Sequence, residues 1–283
     1  MNKEKVAILA DSGCDIPKDF IEKYDIKLLG LKVIYGMEIY TDGVDIDPMT
    51  IYERFPDEIP TTSTPNANDI INILDNIKSE GYKKVIAVCI SSKLSGTFNT
   101  VKTTLEEYNG LTSFAFDSKN ISIGSGLLAM WAAVQLENGM DFNTVTQTLE
   151  KKTADSHVYF YMDTLDYLKS GGRIGNVTGL IGKALNLKPI ISCDEEGVYK
   201  TVTMLRGSKN AVNKIVDIVR KNTKGDNVWL SIMNGHAADK VEEVENTLKE
   251  NFSNADIVAK KQIVASLAVH TGPGLVGIGV LNL

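Results

Sequence analysis

The sequence has few cysteines and no excess of basic charge, and these two shortages exclude several classes of protein. The 283 residues include three cysteines, Cys14, Cys89 and Cys193, which lie far apart and form no CxxC or CxxH pair. This spacing predicts neither a zinc site nor a disulfide. The formal net charge is −6, with no local block of Lys or Arg. Nucleic acid or an anionic membrane surface would require a basic face, so neither is expected as a partner.

Long apolar segments are also scarce. The first five residues lead directly into a strand-like run without the apolar segment of a signal peptide, so a cytoplasmic protein is expected. Residues 263–283 are apolar enough to suggest a membrane span, but they contain His270, Pro273 and several glycines. This composition favours two strands joined at residues 270–274, and no integral membrane insertion is expected.

Strand and helix patterns alternate through the first half of the chain, which predicts parallel strands with crossover helices. After a helix predicted at Phe142–Thr153, the pattern changes to more closely spaced strands. The predicted fold class is therefore α/β, with an N-terminal Rossmann-like parallel α/β domain at residues 1–157. A C-terminal α+β domain with a more antiparallel sheet is expected at residues 158–283, and the ligand is expected between the two domains.

The strongest local signal is a turn rich in hydroxyl groups, residues 91–97 (SSKLSGT), which follows the apolar strand Val85–Ile90 and precedes a helical pattern. In an open α/β sheet, the carboxyl end of a strand is where ligands bind. Hydroxyls and backbone N–H groups there could surround an anionic head group. The turns at Asp11–Ser12 and Asp117–Ser118 would lie at the same sheet edge. A simple helix cap is the alternative for any single hydroxyl.

Three other segments are candidates. Residues 61–65 (TTSTP) resemble a helix cap, and they could also form a second wall of the same site. His270, at the end of a strand predicted at Ala265–Val269, is placed to reach into a crevice, where it could pair with an anion or transfer a proton. A lone histidine is equally compatible with a purely structural role. Arg173, in residues 169–175 (KSGGRIG), could be displayed on a tight turn or could simply follow a helix end.

The sequence lacks several motifs that would indicate an enzyme or a metal site. Residues 169–175 lack the spacing of a phosphate-binding loop, and no dinucleotide fingerprint or Ser/His/Asp triad is present. Asp42, Asp45 and Asp47 lack the register of a calcium loop, so a solvated hairpin turn with a helix cap at Asp47 is predicted. No cofactor and no metal are expected. The residues give no positive evidence of a self-contained catalytic site.

Seven segments taken together resemble the DegV family over essentially the whole chain. They are residues 10–12 (ADS), 62–63 (TS), 91–97 (SSKLSGT), 117–118 (DS), 165–174 (LDYLKSGGRI), 187–190 (LKPI) and 270–274 (HTGPG). The resemblance implies a bacterial fatty-acid-binding protein of two α/β domains. Members of this family include the acyl-carrying subunit of fatty acid kinase, which presents its bound fatty acid to a separate ATP-dependent kinase subunit.

The resemblance also implies roles for individual residues. The fatty acid carboxylate would contact Thr62, Ser95 and His270, while Ser63, Gly96 and Thr97 would line the same pocket mouth. Arg173 would lie on the surface that meets the kinase. Thr64, Asn66 and the pair Gly13–Cys14 depart from the family pattern. Eight apolar residues are candidates for the acyl tunnel, although core packing is the alternative for most of them: Phe98, Ile123, Leu127, Met130, Phe160, Met162, Leu180 and Ile190.

Two functions from different classes remain open at this point. The first is a lipid carrier without catalytic residues of its own. The second is a stand-alone phosphotransferase or hydrolase that uses the hydroxyl turn and the glycine loop on a small anion. A lipid-responsive regulator would need the same pocket as the carrier.

Overall fold

The computed structural model describes residues 2–174, 177, 187–225, 227–253 and 255–283. Two residues named in the sequence analysis, Gly175 of the glycine loop and the tunnel candidate Leu180, lie outside these residues. All other candidate residues are described.

The first half of the chain builds two sheets and a layer of helices. In chain order its strands are β1 (Val6–Asp11), β2 (Lys27–Leu29), β3 (Lys32–Tyr35), β4 (Glu38–Thr41), β5 (Thr61–Ser63), β6 (Lys84–Cys89) and β7 (Thr112–Asp117). Its helices are α1 (Lys18–Tyr24), α2 (Pro48–Arg54), α3 (Ala67–Ser79), α4 (Thr97–Glu107), α5 (Ile123–Glu137) and α6 (Phe142–Lys152). Four of the strands form a fully parallel sheet in the order β2–β1–β6–β7, as predicted.

The small antiparallel sheet β4–β3–β5 was not predicted. The pattern of residues 27–33 is typical of a single strand, but the chain leaves the parallel sheet after β2 and starts a new strand at Lys32. Gly30 lies at this change of direction, and a Cβ there would come within 2.5 Å of the Thr41 side chain. Only Gly30 and Leu31 separate the two strands, so the local pattern does not mark where one sheet ends and the other begins.

The second half forms a six-stranded sheet with its own helices. The strands are β8 (Ser156–Tyr161), β9 (Leu187–Cys193), β10 (Tyr199–Arg206), β11 (Val228–Gly235), β12 (Asp256–Gln262) and β13 (Leu275–Asn282). The helices are α7 (Asp166–Ser170), α8 (Ala211–Asn222), α9 (Ala238–Asn251) and α10 (Ala265–Thr271). The order is β10–β9–β8–β13–β11–β12, and β11 with β12 is the parallel pair. The mostly antiparallel α+β organisation is confirmed, and the predicted domain boundary at residue 157 falls at the start of β8.

The prediction of two strands around His270 is wrong. Residues 265–271 form helix α10, and strand β13 follows only at Leu275. Every residue of α10 is buried, so the segment shows no alternation between apolar and polar faces. A short apolar run of this kind cannot be assigned to strand or helix by periodicity alone.

Helix α5 joins the two halves into one core. It packs against β1 and β6 on one side and against β8 and β13 on the other. Gly126 allows this approach, since a Cβ there would lie 2.2 Å from the carbonyl oxygen of Cys14. Cys14 is fully buried there, and burial raises the pKa of its thiol well above the ordinary value. Among the described residues, no helix has the length and apolar character needed to cross a membrane.

Candidate functional site

A cavity of about 140 Å³ lies where the carboxyl edge of the parallel sheet meets β5 and α10. We call it the head-group cavity. Its lining includes five of the predicted site residues and Arg173. The full lining is Leu31, Thr62, Ser63, Thr64, Ile90, Leu94, Ser95, Gly96, Ile121, Arg173, Tyr199, Ser266, Leu267 and His270.

Ser95 is presented to the cavity by the turn between β6 and α4. Its Oγ accepts a hydrogen bond from the Thr97 backbone N–H at 3.2 Å and shares a second one with the Thr97 hydroxyl at 2.8 Å. Thr97 itself is fully buried and lies behind the lining, so it orients Ser95 without facing the cavity. Gly96 precedes the first residue of α4 and lines the cavity, as predicted.

Other polar groups of this sheet edge brace the turn from behind and do not face the cavity. The Asp11 carboxylate accepts a hydrogen bond from the Ile90 N–H at 2.8 Å, and Asp117 accepts one from the Ser92 N–H at 3.2 Å. Ser91 donates its hydroxyl hydrogen bond to the carbonyl oxygen of Gly197 in the second half of the chain. Of the hydroxyl side chains in residues 91–97, Ser95 lines the cavity, and the others lie behind it or outside it.

Thr62 reaches the cavity because it lies in a strand. In the register of the small sheet it pairs with Val33, which places its side chain on the inner face, while Thr61 is exposed. The predicted role of residues 61–65 as a helix cap is wrong. The cap of α3 is Asn66, which exchanges hydrogen bonds with Asp69.

His270 and Thr62 meet directly, with 3.0 Å between Thr62 Oγ1 and His270 Nε2. His270 is 8 % exposed and lies in the last turn of α10. Burial, with a smaller contribution from the nearby Arg173 charge, lowers the pKa of its imidazole to about 3. The ring is therefore neutral at physiological pH, with one donor and one acceptor nitrogen. Its Nδ1 has no hydrogen-bond partner among the described residues.

Among the described residues that line the head-group cavity, Arg173 carries the one side chain that is charged at neutral pH. Its guanidinium is partly buried and donates a hydrogen bond to the Gly171 carbonyl oxygen at 2.9 Å. The described lining therefore combines neutral hydroxyl and imidazole groups with one positive charge, which favours an anion. The family resemblance implies that Arg173 lies on a partner surface, and the structure places it in the lining of this cavity.

A second, apolar cavity of about 30 Å³ adjoins the first. The two share Ile121, Tyr199, Leu267 and His270. The rest of the second lining comes mostly from the larger sheet, with Val158, Phe160, Met233, Ile263 and Leu275 among its members. A polar end and an apolar end thus lie on opposite sides of His270.

Of the predicted tunnel residues, Phe160 lines the apolar cavity. Three other candidates, Ile123, Leu127 and Met130 on helix α5, belong to the hydrophobic core. Leu180 lies outside the described residues.

Ser266 is a lining residue that the sequence did not reveal. Its hydroxyl donates to the carboxylate of Asp42, which is 2 % exposed, so the predicted solvated turn is wrong at this position. Asp47 does cap α2, as predicted. Sequence pattern alone could not separate the two aspartates, because both belong to the same acidic run. Within the described part of the chain, no group of three His, Cys, Asp or Glu side chains could hold a metal ion.

Gly171 explains why the glycine loop and the histidine belong to one site. A Cβ at position 171 would lie 2.1 Å from His270 Nδ1, so the imidazole ring occupies the space of the missing side chain. The backbone of Gly171 is right-handed helical, a conformation open to alanine. The glycine is therefore required by the contact with His270 and not by its own backbone angles.

We predict that Gly171→Ala displaces the His270 ring and destabilises the fold by about 1–3 kcal/mol, the usual cost of overpacking. Thermal denaturation measures the stability, and the imidazole ¹⁵N resonances report the ring. Ser170→Ala, an exposed change in the same short helix, is the matched control. A Gly171→Ala protein with unaltered His270 resonances would contradict this contact.

The buried imidazole also predicts a pH dependence. An unfolded histidine, with a pKa near 6.5, binds a proton at pH values where the folded His270, with a pKa of about 3, does not. Stability contributed by His270 is therefore present above the unfolded pKa and is lost as the pH falls below it. Relative to His270→Gln, the unfolding free energy of the wild type should rise by about 1.4 kcal/mol per pH unit between about pH 4 and 6. Urea denaturation of both proteins tests this, and parallel curves would refute it.

Comparisons with known proteins agree with this architecture. The model of the DegV family, whose members it describes as uncharacterised, matches residues 5–283. A DegV domain-containing protein of Clostridium acetobutylicum is 38% identical over 279 residues, which cover 99% of each chain.

Two solved structures are similar over nearly their full lengths. A DegV-family protein from Thermus thermophilus, described as binding fatty acid, is 28% identical with a TM-score of 0.90, and the match covers 100% of both chains. The stearic-acid-binding protein of Eubacterium ventriosum is also 28% identical, with a TM-score of 0.89 and 97% of each chain covered. Sequence motifs, fold and relatives agree, and the chain belongs to the DegV family.

Proposed function

We propose that this protein binds one long-chain fatty acid, with the carboxylate in the head-group cavity and the tail in the apolar region beyond His270. The observation that carries the proposal is the junction of the two cavities. Among the described residues, hydroxyls, a neutral imidazole and the Arg173 cation line one end, and apolar side chains line most of the other. A fatty acid likewise has a polar carboxylate at one end and an apolar tail at the other. The fatty acids bound by the Thermus and Eubacterium relatives support the same ligand class.

Thr62, Ser95 and His270 are the proposed carboxylate contacts. Each can offer a hydrogen bond without carrying charge of its own, and Arg173 supplies the compensating positive charge nearby. Ser63 and Gly96 complete the mouth of the cavity, and Thr97 fixes the Ser95 hydroxyl. A carboxylate held in this way exchanges its hydration for hydrogen bonds, which offsets the cost of removing it from water.

The tail supplies most of the affinity. Burial of each methylene contributes about 0.8 kcal/mol, so a sixteen-carbon chain gains on the order of 10 kcal/mol before the entropic costs of binding. The two cavities together are smaller than the roughly 300 Å³ at the lower end of ordinary ligand pockets. We therefore expect the shared side chains, Leu267 and Tyr199 in particular, to rearrange when the tail enters.

We further propose that the protein is a carrier and that a separate ATP-dependent kinase acts on the bound acid. A carboxylate oxygen would attack the terminal phosphorus of ATP, forming an acyl phosphate and releasing ADP. Arg173, at the mouth, is placed to meet both the kinase surface and the added negative charge. The kinase would need ATP for this step, and we propose a cytoplasmic location for the carrier on that ground.

The head-group assignment predicts that Ser95→Ala and His270→Ala lower the amount of fatty acid that remains bound, while the proteins stay folded. Loss of one hydrogen bond to a charged group should weaken retention about tenfold or more. Denaturing lipid mass spectrometry measures the bound acid, and native mass spectrometry gives its stoichiometry. Ser170→Ala is the control, and His270→Gln replaces His270→Ala if the latter unfolds. Wild-type occupancy in the Ser95 and His270 variants would refute the assignment.

The carrier role has its own test. Protein loaded with palmitate should yield acyl phosphate only when a fatty acid kinase subunit is added, and should consume no ATP alone. Turnover of ATP by the purified chain would instead favour the stand-alone phosphotransferase.

A further inference from the structure

Asp42 is a buried carboxylate that joins the first sheet to the helix of His270. It is 2 % exposed and does not line the head-group cavity. Its Oδ2 atom accepts two hydroxyl hydrogen bonds, one from Ser12 at 2.7 Å and one from Ser266 at 2.5 Å. Ser12 follows strand β1, whereas Ser266 belongs to α10. One carboxylate oxygen therefore connects two segments that are more than two hundred residues apart.

Ser266 links Asp42 to His270, because it bonds Asp42 and lies in the same helix as His270. The two residues are four positions apart in α10, so they lie on the same face of the helix, one turn from each other. Both line the head-group cavity. Because the Ser266 hydroxyl is donated to Asp42, movement of this carboxylate moves the helix turn on which His270 depends.

A second buried carboxylate fixes the start of the same helix. Asp15 accepts a hydrogen bond from the Val264 N–H at 3.0 Å and another from the Ser122 hydroxyl at 2.5 Å. The Lys261 ammonium lies 3.7 Å from Asp15 and supplies a positive charge. Asp15 therefore fixes the N-terminus of α10, and the Asp42–Ser266 bond adds a second attachment in the first turn of the helix.

We propose that Asp42 is a positioning residue of the head-group site: through Ser266 it holds α10 so that His270 meets Thr62. Asp42 acts from outside the cavity, where its negative charge does not face the bound carboxylate. The inference rests on the proposed function for its effect on ligand binding, but not for its effect on His270 itself.

The test uses the imidazole signals of the whole protein. The chain has three histidines, so ¹⁵N-histidine labelling gives a simple spectrum in which His270→Gln assigns the signal of interest. Asp42→Ala and Ser266→Ala should both shift the His270 resonances and weaken palmitate binding about tenfold. Asp42→Asn keeps a side-chain oxygen acceptor and should restore both readouts toward the wild type. Asp45→Ala is the matched control, because Asp45 is exposed and bonds the Thr41 N–H in the same acidic run.

The possible outcomes are distinct. Unchanged His270 resonances in Asp42→Ala and Ser266→Ala, with only a lower melting temperature, would overturn the positioning role. Weaker binding in Ser266→Ala but not in Asp42→Ala would also overturn it, because Ser266 would then contact the ligand directly. If Asp42→Ala does not fold, the His270 resonances of Ser266→Ala carry the test. If the wild type binds no palmitate, the proposed function fails, while the resonances still decide whether Asp42 positions His270.

Discussion

Burial of aspartate carboxylates is the constraint on which the architecture around the cavity depends. Asp11, Asp15 and Asp42 are almost completely removed from solvent. Removing a carboxylate from water is costly unless hydrogen bonds replace the lost hydration. The remaining cost is visible in Asp11 and Asp15, where burial raises the pKa to about 7 and about 6. The segments that carry the site therefore present N–H or O–H donors to these groups: the Ile90 N–H to Asp11, the Val264 N–H to Asp15 and the Ser266 hydroxyl to Asp42.

The segments that meet this requirement are those that carry the site. Asp11 fixes the turn that presents Ser95, and Asp15 and Asp42 fix the helix that presents His270. The three carboxyl groups do not line the cavity, whereas the Ser95 hydroxyl and the His270 imidazole do. No carboxylate lies in the described lining of the cavity, so Arg173 gives that lining a positive charge.

His270 stands at the boundary between the polar and the apolar end of the site. Burial keeps its ring uncharged, so it can border apolar side chains without the cost of a buried cation. Two further contacts hold the ring in place. Its Nε2 atom lies within hydrogen-bond distance of the Thr62 hydroxyl, and its Nδ1 atom occupies the space that a side chain at Gly171 would fill. The glycine loop, the small antiparallel sheet and α10 thus converge on one imidazole ring.

Sequence pattern predicted the parallel sheet of the first half and its helices, because parallel strands and amphipathic helices have distinct periodicities. Its errors occur where a segment is buried on all sides, as in α10, or where the chain passes from one sheet to another near Gly30. The motifs made Thr62, Ser95 and His270 candidates, whereas Ser266 was not singled out and Asp42 was expected in a solvated turn. Ser266 and Asp42 meet through a contact between distant parts of the chain, and local pattern carries no information about such contacts.

The sequence by itself determined the α/β class, the mostly antiparallel second sheet and the family, because periodicity and short motifs are local properties of the chain. Tertiary structure alone decided which hydroxyls face the cavity and which brace its walls. It also decided that Asp42 is buried while Asp45 is exposed. The physical reason is that the burial and the hydrogen bonds of a side chain depend on contacts between segments that are distant in sequence, and these contacts form only in the folded core.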